Sequence, residues 1–296
     1  MLYLLKKRIS GLIANWTART TVSPTGYINV ASSSDGTKMA ACVQDGYIYT
    51  STDSGVTWTQ RSTVRTWMSI AISDDGTKLV ACVSNGYIYT STDSGVTWTQ
   101  RSTAAVRNWR SVAMSADGTK MVATSYSYGV FVSTDSGATW TPRGGGNWRV
   151  ACSADGTKMA SADVSNGYIY TSSNSGTTWT PRSAAGFGTW YSIDISDDGT
   201  KLVACVYQGF IYTSTDSGAT WIQCAEAGSR QWYDVAISAD GTKMAACDVG
   251  ANGFIYTSTD SGASWTASTP GAASVAMSAD GTKLLAASYS ILYTSY

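Results

Sequence analysis

The chain has 296 residues, 43% of them hydrophobic, so it is long enough to bury a large core, and its 20 basic and 20 acidic residues balance. This balance lacks the basic excess of nucleic-acid-binding proteins, and we expect no nucleic-acid partner. Histidine is absent, which excludes Ser-His-Asp and Cys-His catalysis and histidine metal sites. We expect no cofactor and no metal ion.

Residues 1–14 precede the repeated part of the chain. They contain apolar residues at spacings of 3, 4 and 3, namely Leu2, Leu5, Ile9 and Leu12. This spacing would give a helix one apolar face. Such a segment is a tail lying across the folded domain, a surface for self-association or a partner, or an anchor at a membrane surface. The apolar residues come before the first basic cluster, the reverse of a secretory signal, and no stretch is long enough to span a membrane. We expect no signal peptide and no transmembrane segment.

Two short motifs recur along the rest of the chain. Asp-Gly-Thr-Lys occurs seven times at intervals of 38 to 43 residues, beginning at Asp35, Asp75, Asp117, Asp155, Asp198, Asp240 and Asp280. A second motif reads Ser-Thr-Asp-Ser-Gly-Val-Thr-Trp in its first two copies and recurs six times, with its third residue at Asp53, Asp93, Asp135, Asn174, Asp216 and Asp260. Repeats of this length indicate one supersecondary unit stacked several times around a shared core.

One repeat, from Trp67 to Arg101, contains four predicted strands. They are residues 68–73, 78–83, 87–91 and 97–101. The first alternates apolar and polar residues, and Asp75-Gly76 is a strong hairpin turn. Four short antiparallel strands in about seven copies predict an all-β fold, a β-propeller with four-stranded antiparallel blades. We expect residues 15–296 to form one seven-bladed propeller.

The two ends of the repeated region complement each other. The seventh repeat stops at Tyr296, after its third predicted strand. Residues 15–19 match the fourth strand of a repeat, residues 57–61, without the three strands that should precede it. We therefore expect the N-terminal strand to complete the last blade, which would close the ring and remove exposed sheet edges.

Four of the six cysteines occupy the same place in four different repeats: Cys42, Cys82, Cys205 and Cys247. Equivalent positions in separate blades lie too far apart for a disulfide bond. We expect these residues to be small buried apolar side chains, a role that free cysteine fills well.

The string Ser-Thr-Asp-Ser-Gly-Val-Thr-Trp closely resembles the Asp-box, or BNR repeat, of sialidase-like β-propellers, and the resemblance covers nearly the whole chain. That family includes sialidases, xyloglucan-cleaving glucanases, sortilin-type receptors and photosystem assembly factors. In it the box is structural and stabilises the turn between the third and fourth strands, away from the ligand face. The resemblance implies the same structural role for the six box residues given above, and it favours an extracellular or particle-surface location.

Loop lengths distinguish the two ends of the blades. From each Asp-Gly-Thr-Lys aspartate to the following box the separation is 18 to 20 residues, whereas from each box to the next such aspartate it is 20 to 24. The extra residues fit the loops between second and third strands and between blades, which lie at one end. We expect this end, the loop face, to carry function on a rigid scaffold.

Aromatic residues and arginines collect at the loop face. Six repeats open their first strand with an aromatic residue: Tyr27, Trp67, Trp109, Trp148, Trp190 and Trp232. Arginines or tyrosines flank some of these positions: Arg65, Arg107, Arg230, Tyr191 and Tyr233. Rings with hydrogen-bonding groups beside them suit stacking on sugars, and equivalent weak sites gain strength by multivalency. These residues form our candidate ligand-binding set. The alternative is that the tryptophans plug the gaps between blades.

Asp194 completes the candidate set because it breaks a local rule. Counted back from the Asp-Gly-Thr-Lys aspartate, its counterparts in the other six repeats are all alanine. The alternative is a carboxylate solvated by the central channel. The resemblance to sialidases does not extend to their catalytic residues, since no Arg-Ile-Pro element is present and Glu226 is the sole glutamate.

The sequence as a whole predicts a non-catalytic recognition module with lectin-like carbohydrate binding on the loop face. Its partner would be a carbohydrate or a protein. One alternative is a structural or assembly protein, such as a surface or particle component, that self-associates through residues 1–14. A second is a glycoside hydrolase that uses an aspartate pair, which needs only two carboxylates at a suitable separation. The sequence leaves enzymatic activity undecided, favours its absence and assigns no catalytic residue.

Overall fold

Seven four-stranded antiparallel units surround a central channel in the computed structural model, which describes residues 15–19, 26–165, 167–250 and 253–296. The fold is a seven-bladed β-propeller. Residues 1–14, for which the sequence predicts an apolar helix face, lie outside the described residues.

Each blade runs outward from the channel in the order first, second, third and fourth strand. The first strands are β2 (Tyr27–Ser32), β6 (Trp67–Ile72), β10 (Trp109–Met114), β14 (Arg149–Cys152), β18 (Trp190–Ile195), β22 (Arg230–Ile237) and β26 (Ser274–Met277). The second strands are β3 (Met39–Val43), β7 (Leu79–Val83), β11 (Met121–Ser125), β15 (Met159–Ala162), β19 (Leu202–Gly209), β23 (Met244–Asp248) and β27 (Leu284–Ala287).

The outer two strands of each blade are short. The third strands are β4 (Gly46–Ser51), β8 (Ile88–Ser91), β12 (Gly129–Ser133), β16 (Ile169–Ser172), β20 (Ile211–Ser214), β24 (Ile255–Ser258) and β28 (Leu292–Ser295). The fourth strands are β5 (Thr59–Arg65), β9 (Thr99–Arg101), β13 (Thr141–Gly144), β17 (Thr180–Arg182), β21 (Ile222–Cys224), β25 (Thr266–Ser268) and, from the chain start, β1 (Thr17–Arg19). Three connections between blades contain a 3₁₀ turn, at Ser102–Ala104, Ser183–Ala185 and Ala225–Ala227.

The N-terminal strand completes the seventh blade, as the sequence predicts. β1 pairs antiparallel with β28, with Ala18 opposite Tyr293. Its side chains reinforce the pairing, because Arg19 Nε donates to Thr294 Oγ1 at 2.7 Å. Trp16 Nε1 donates to Ser268 Oγ of the sixth blade at 3.0 Å. The closing strand is thus fixed to both the seventh and the sixth blades.

A closed circle of backbone hydrogen bonds links the seven blades at the end opposite the loop face. In every blade the N–H of the residue before the Asp-Gly-Thr-Lys aspartate donates to the carbonyl of its counterpart in the next blade, at 2.8–3.1 Å. The circle runs through Ser34, Asp74, Ala116, Ala154, Asp197, Ala239 and Ala279 and returns to Ser34. A cycle of seven donors and seven acceptors pairs the backbone polar groups that an open array would leave without hydrogen-bond partners at its ends.

The lysines of the Asp-Gly-Thr-Lys motif form a second circle outside the first. Each Nζ donates to the backbone carbonyl of the motif aspartate in the next blade at 2.7–3.0 Å, and Lys283 of the last blade reaches Asp35 of the first. The repeated lysines are therefore interblade links rather than a basic patch.

The hydrophobic core of the described residues is divided into seven clusters, each between two neighbouring blades. The cluster between blades 1 and 2, for example, joins Cys42 and Ile48 to Trp67, Ile70 and Leu79. All six cysteines are free thiols, and the four at equivalent positions are fully buried, as the sequence predicts. Blades 5 and 6 share an additional contact, because the ends of β19 and β22 pair with each other.

Candidate functional site

Five of the six strand-start aromatic residues are fully buried: Tyr27, Trp67, Trp109, Trp190 and Trp232. Trp67 packs edge-on against Tyr89 with ring centres 5.3 Å apart, and lies 6.0 Å from Trp98, in the core between blades 1 and 2. An enclosed ring has no face free to stack on a sugar. The prediction that these five residues bind a ligand is therefore corrected: they are the interblade plugs that the sequence offered as the alternative.

The arginines two residues before three of these tryptophans also belong to the scaffold. Their guanidinium groups lie over aromatic rings of third strands and their adjoining loops, in the pairs Arg65–Tyr89 (4.7 Å), Arg107–Phe131 (4.6 Å), Arg107–Tyr128 (4.4 Å) and Arg230–Tyr256 (4.8 Å). Contacts of this kind contribute about 0.5–1 kcal/mol each at exposed sites. The three arginines cover the ends of the interblade cores, and the structure does not bring them together with one another.

Trp148 differs from the other strand-start tryptophans. It lies seven residues before its Asp-Gly-Thr-Lys aspartate, whereas the buried ones lie eight before. It is only half-buried and aligns with Tyr191 and Tyr233 of the next two blades. The ring centres of Trp148 and Tyr191 are 5.4 Å apart, and those of Tyr191 and Tyr233 are 4.7 Å apart. The structure therefore brings three of the predicted residues together.

Two further residues extend this group. The guanidinium of Arg110 lies 5.3 Å from the Trp148 ring centre, and the Tyr207 ring lies 5.3 Å from Tyr191. We call Arg110, Trp148, Tyr191, Tyr207 and Tyr233 the aromatic run. It lies on the loop face, crosses blades 3 to 6 and follows the rim of the central channel.

β-Bulges explain why these side chains reach the rim. The pairing of first and second strands shifts register immediately around Arg110, Tyr191 and Tyr233, so each of these residues is the extra one in its strand. A bulge re-aims the extra side chain away from the alternating pattern of the strand. The residue on one side of each bulge enters the interblade core and the residue on the other side faces the channel.

Burial and contacts between the side chains determine the protonation state and hydrogen-bonding capacity of the aromatic run. Burial raises the pKa of Tyr233 to about 12, and the neighbouring Tyr191 hydroxyl raises it further. Tyr233 is therefore a neutral hydroxyl at physiological pH and can both donate and accept a hydrogen bond. The Nε of Arg110 is buried and has no hydrogen-bond partner within the described residues.

The central channel is lined by the seven first strands and encloses a cavity of about 240 Å³. Asp194 lines this cavity, and its two carboxylate oxygens accept the N–H groups of Ile195 and Ile237, each at 2.9 Å. Burial raises the pKa of Asp194 to about 7, and the nearby charge of Asp234 adds to the increase. This carboxylate links blade 5 to blade 6 and lies deeper than the aromatic run.

Asp234 is a second carboxylate of the channel wall, and it too holds the neighbouring blades. It accepts the hydroxyls of Ser192 and Ser274 at 2.7 Å each and the N–H of Val275 at 3.1 Å. It is buried, and these three donors belong to the scaffold. Both channel carboxylates thus form hydrogen bonds that hold neighbouring blades together. A catalytic role would have to be compatible with those bonds.

The six box residues lie at the opposite end of the blades, in turns between third and fourth strands. In the first box Asp53 Oδ1 accepts the Thr57 N–H at 2.8 Å, its Oδ2 accepts the Thr57 hydroxyl, and Trp58 Nε1 donates to the Gly55 carbonyl. Asn174 preserves this turn by accepting the Thr178 N–H at 3.0 Å and donating its amide to the Thr178 hydroxyl. The hydrogen bonds are those of a turn-stabilising residue.

Within the described ranges no group of three or more acidic, cysteine or histidine side chains could hold a metal ion. No helix in the same ranges is long and apolar enough to cross a membrane.

Comparison with known proteins shows the fold without showing a family. No family model matches the chain, and no curated protein matches it. Among solved structures, YCF48 bound to D1 peptide superposes with a TM-score of 0.73 at 14% identity over 97% of both chains. YCF48 from Cyanidioschyzon merolae gives 0.72 at 15% identity, covering 95% of this chain and 98% of the other.

A third similar structure belongs to an enzyme. The GH74 xyloglucanase from Xanthomonas campestris gives a TM-score of 0.71 at 15% identity, and the match covers 95% of this chain but 53% of the enzyme. All three are β-propellers, which agrees with the blades described above. At such low identity the likeness extends to the fold alone.

Sequence reasoning missed two residues at this site, Arg110 and Arg149. The signal was present, because counting back from the Asp-Gly-Thr-Lys aspartate places Arg149 where the other repeats have serine, asparagine or aspartate. The same count places Arg110 level with Tyr191 and Tyr233. The same count also separates Trp148 from the other strand-start tryptophans.

Proposed function

We propose that this protein is a non-catalytic recognition module that binds carbohydrate on its loop face through the aromatic run. The observation that carries the proposal is the contiguous series of half-buried rings along the channel rim, with ring centres 4.7–5.4 Å apart. The half-buried rings of the run are partly exposed, whereas the four other strand-start tryptophans are enclosed.

The chemistry of the run suits a sugar. The C–H face of a pyranose stacks on an aromatic ring, and tyrosine combines a large apolar surface with a hydroxyl that can reach the sugar hydroxyls. Tyr191, Tyr207 and Tyr233 supply three such hydroxyls, and Arg110 supplies donors beside Trp148. A row of rings is better matched to an extended chain of sugars than to a single one.

Further aromatic residues enlarge this surface. Phe187, Tyr128 and Tyr289 lie in connections on the loop face and are 79%, 62% and 60% exposed. Exposed aromatic residues gathered on one face are typical of interaction sites. The opposite face has the repeated turns instead, so we place the binding surface on the loop face alone.

We also infer that the chain is an Asp-box propeller of the sialidase-like type. The six recurring boxes and their turn hydrogen bonds support this assignment. An extracellular or particle-surface location would accord with it.

A protein partner is the second candidate, and one observation favours it. YCF48, which shares the fold over 97% of its length, has been solved with a D1 peptide bound. The rings and arginine of the run would also suit apolar and acidic side chains of a partner. Assembly through residues 1–14 is a separate form of this hypothesis, and those residues lie outside the described ones.

A glycoside hydrolase remains the third hypothesis. The similarity to a xyloglucanase propeller favours it, and Asp194 and Asp234 are the carboxylates that the channel offers. A hydrolase would release reducing sugar from a polysaccharide, and Asp194→Asn would abolish that release.

A glycan-array screen of the purified chain tests the carbohydrate proposal. We expect selective binding by the parent and about tenfold weaker binding by Trp148→Ala and by Tyr191→Ala, since a loss of about 1.4 kcal/mol is tenfold in affinity. Met68→Ala is the matched control, because Met68 is the bulge residue of blade 2 and lies away from the run. A blank array, or equal losses in all three variants, would contradict carbohydrate binding by the run.

A further inference from the structure

Side chains on the channel wall form a series of interblade hydrogen bonds. Six residues before the Asp-Gly-Thr-Lys aspartate, five blades carry a side chain that accepts an N–H from the first strand of the next blade. The acceptors and donors are Ser274 and Val30, Asn29 and Ile70, Ser69 and Val112, Ser111 and Val150, and Asp234 and Val275, at 3.0–3.3 Å. These bonds satisfy N–H groups on the inner edges of the sheets.

Two blades depart from this series. In blade 5 the Ser192 hydroxyl donates to Asp234 instead, and in blade 4 the position is occupied by Arg149. A guanidinium has five N–H donors and no acceptor, so it cannot receive the corresponding N–H of Ile193 in blade 5. Its side chain would also be long and charged where four other repeats have serine. A departure of this kind, with no scaffold role to explain it, is typical of a functional position.

The Arg149 guanidinium has no internal partner. Among the residues that the structure describes, no hydrogen bond and no ion pair engages it. It lines the central cavity and is half-buried. A guanidinium on a cavity wall without an internal partner has its N–H donors available to a bound anion or to water.

The charge of Arg149 lies inside the ring of blades. Burial raises the pKa of the Cys42 thiol in blade 1 to about 12, and the charge of Arg149 is the largest effect opposing it. The same charge opposes the increase in the pKa of Tyr233 that burial causes. Arg149 therefore acts on groups in both the first and the sixth blade, as a charge inside the ring must.

The two carboxylates of the channel wall bind scaffold groups rather than the Arg149 guanidinium. Both oxygens of Asp194 accept backbone N–H groups, and both oxygens of Asp234 accept hydroxyl or N–H groups. The cavity of about 240 Å³ is below the size of about 300–1,000 Å³ that is usual for drug-sized ligands. It is suited to a small ion with a few waters.

We propose that Arg149 anchors a binding site for a small oxyanion inside the central channel. The shared chemistry is an oxygen-bearing anion that receives two parallel N–H bonds from the guanidinium, as carboxylates and phosphates do. This site lies below the aromatic run, and it does not depend on carbohydrate binding there.

Isothermal titration calorimetry with sodium sulfate, sodium phosphate and sodium acetate, at constant ionic strength in sodium chloride, tests the proposal. We expect saturable one-site binding of at least one of them by the parent chain. Binding of acetate alone would identify a carboxylate site, and binding of sulfate or phosphate would identify a site for tetrahedral oxyanions. No saturable heat with any of the three would overturn the proposal.

Variants assign the binding to Arg149. Arg149→Ser introduces the residue that four other repeats have at this position, so it is expected to fold, and to bind at least tenfold more weakly. Arg149→Gln should do the same without restoring the hydrogen-bond series. Arg110→Gln removes the cation of the aromatic run and should keep the parent affinity. Unchanged affinity in Arg149→Ser, or a loss confined to Arg110→Gln, would overturn the assignment.

Discussion

Replacing Asp194 with asparagine tests the origin of a pH-dependent stability that the structure predicts. In the folded protein burial raises the pKa of this carboxyl from its ordinary 3.8 to about 7. In the unfolded chain it ionises near the ordinary value. Between these two pH values the folded protein therefore holds one more proton than the unfolded chain, and the free energy of unfolding falls as the pH rises.

The size of the effect has an upper limit. The interval from 3.8 to about 7, at 1.36 kcal/mol for each pH unit, gives at most about 4 kcal/mol. Asp194 lines the channel and is only half-buried, so screening by solvent reduces this figure. We expect the parent to lose about 1–2 kcal/mol between pH 4 and pH 8. Asparagine cannot ionise, and the variant should lack this loss.

Urea unfolding followed by tryptophan fluorescence at several pH values measures the difference. Asparagine has one side-chain oxygen in place of the two that accept backbone N–H groups, so Asp194→Asn should be less stable by a similar amount at every pH. The slope of stability against pH is therefore the informative quantity. Asp216→Asn is a suitable control, because hydrogen bonds lower the pKa of Asp216 to about 2 and it titrates below this range. Parallel pH profiles for the parent and Asp194→Asn would refute the reasoning.

Three further predictions follow from the same structure. Trp67→Ala should lower the free energy of unfolding by about 3–5 kcal/mol and Trp148→Ala by less than half of that, because only Trp67 is enclosed; equal losses in urea titrations would contradict this. Asp216→Ala removes two hydrogen bonds to Thr220 and should cost about 1–2 kcal/mol, with no effect on glycan-array binding. Sulfate should bind more tightly at pH 6 than at pH 8, because protonation of Asp194 removes a negative charge from the channel; pH-independent calorimetric affinity would argue against this.

The fold could be predicted from the sequence because its turns are specified locally and repeatedly. Asp35 shows how: its carboxylate accepts the Thr37 N–H at 2.9 Å, which fixes the hairpin between first and second strands without help from other blades. The same residues recur seven times, so blade number and strand order follow from counting. Closure by residues 15–19 was predictable for the same reason, because that segment matches the fourth strand of every other repeat.

The site was predictable only in part, because register on a strand decides between core and rim. A shift of one position moves a side chain from the interblade core, where Trp190 lies, to the rim, where Tyr191 lies. The bulge that displaces Tyr191 leaves no mark in the alternation of apolar and polar residues. Residue positions in the repeat therefore predict an aromatic loop face but give no means of separating the buried rings from the accessible ones.

The departure of blade 4 from the repeat costs folding stability. This cost supports a functional origin for the departure. Its first strand places Asn147 where Trp67 and its equivalents fill the interblade core, and the Asn147 Oδ1 is buried without a partner within the described residues. An unsatisfied buried acceptor costs about 1–3 kcal/mol. The buried cluster at this interface has five members, whereas the others have eight to eleven. At this same blade Trp148 lies at the rim and Arg149 lines the channel. Blade 7 also lacks an aromatic plug, with Ala272 at that position, but it has no charged residue where blade 4 has Arg149. Because blade 4 combines the missing plug with a charge in the channel, binding at the channel is a better explanation of blade 4 than drift of the repeat.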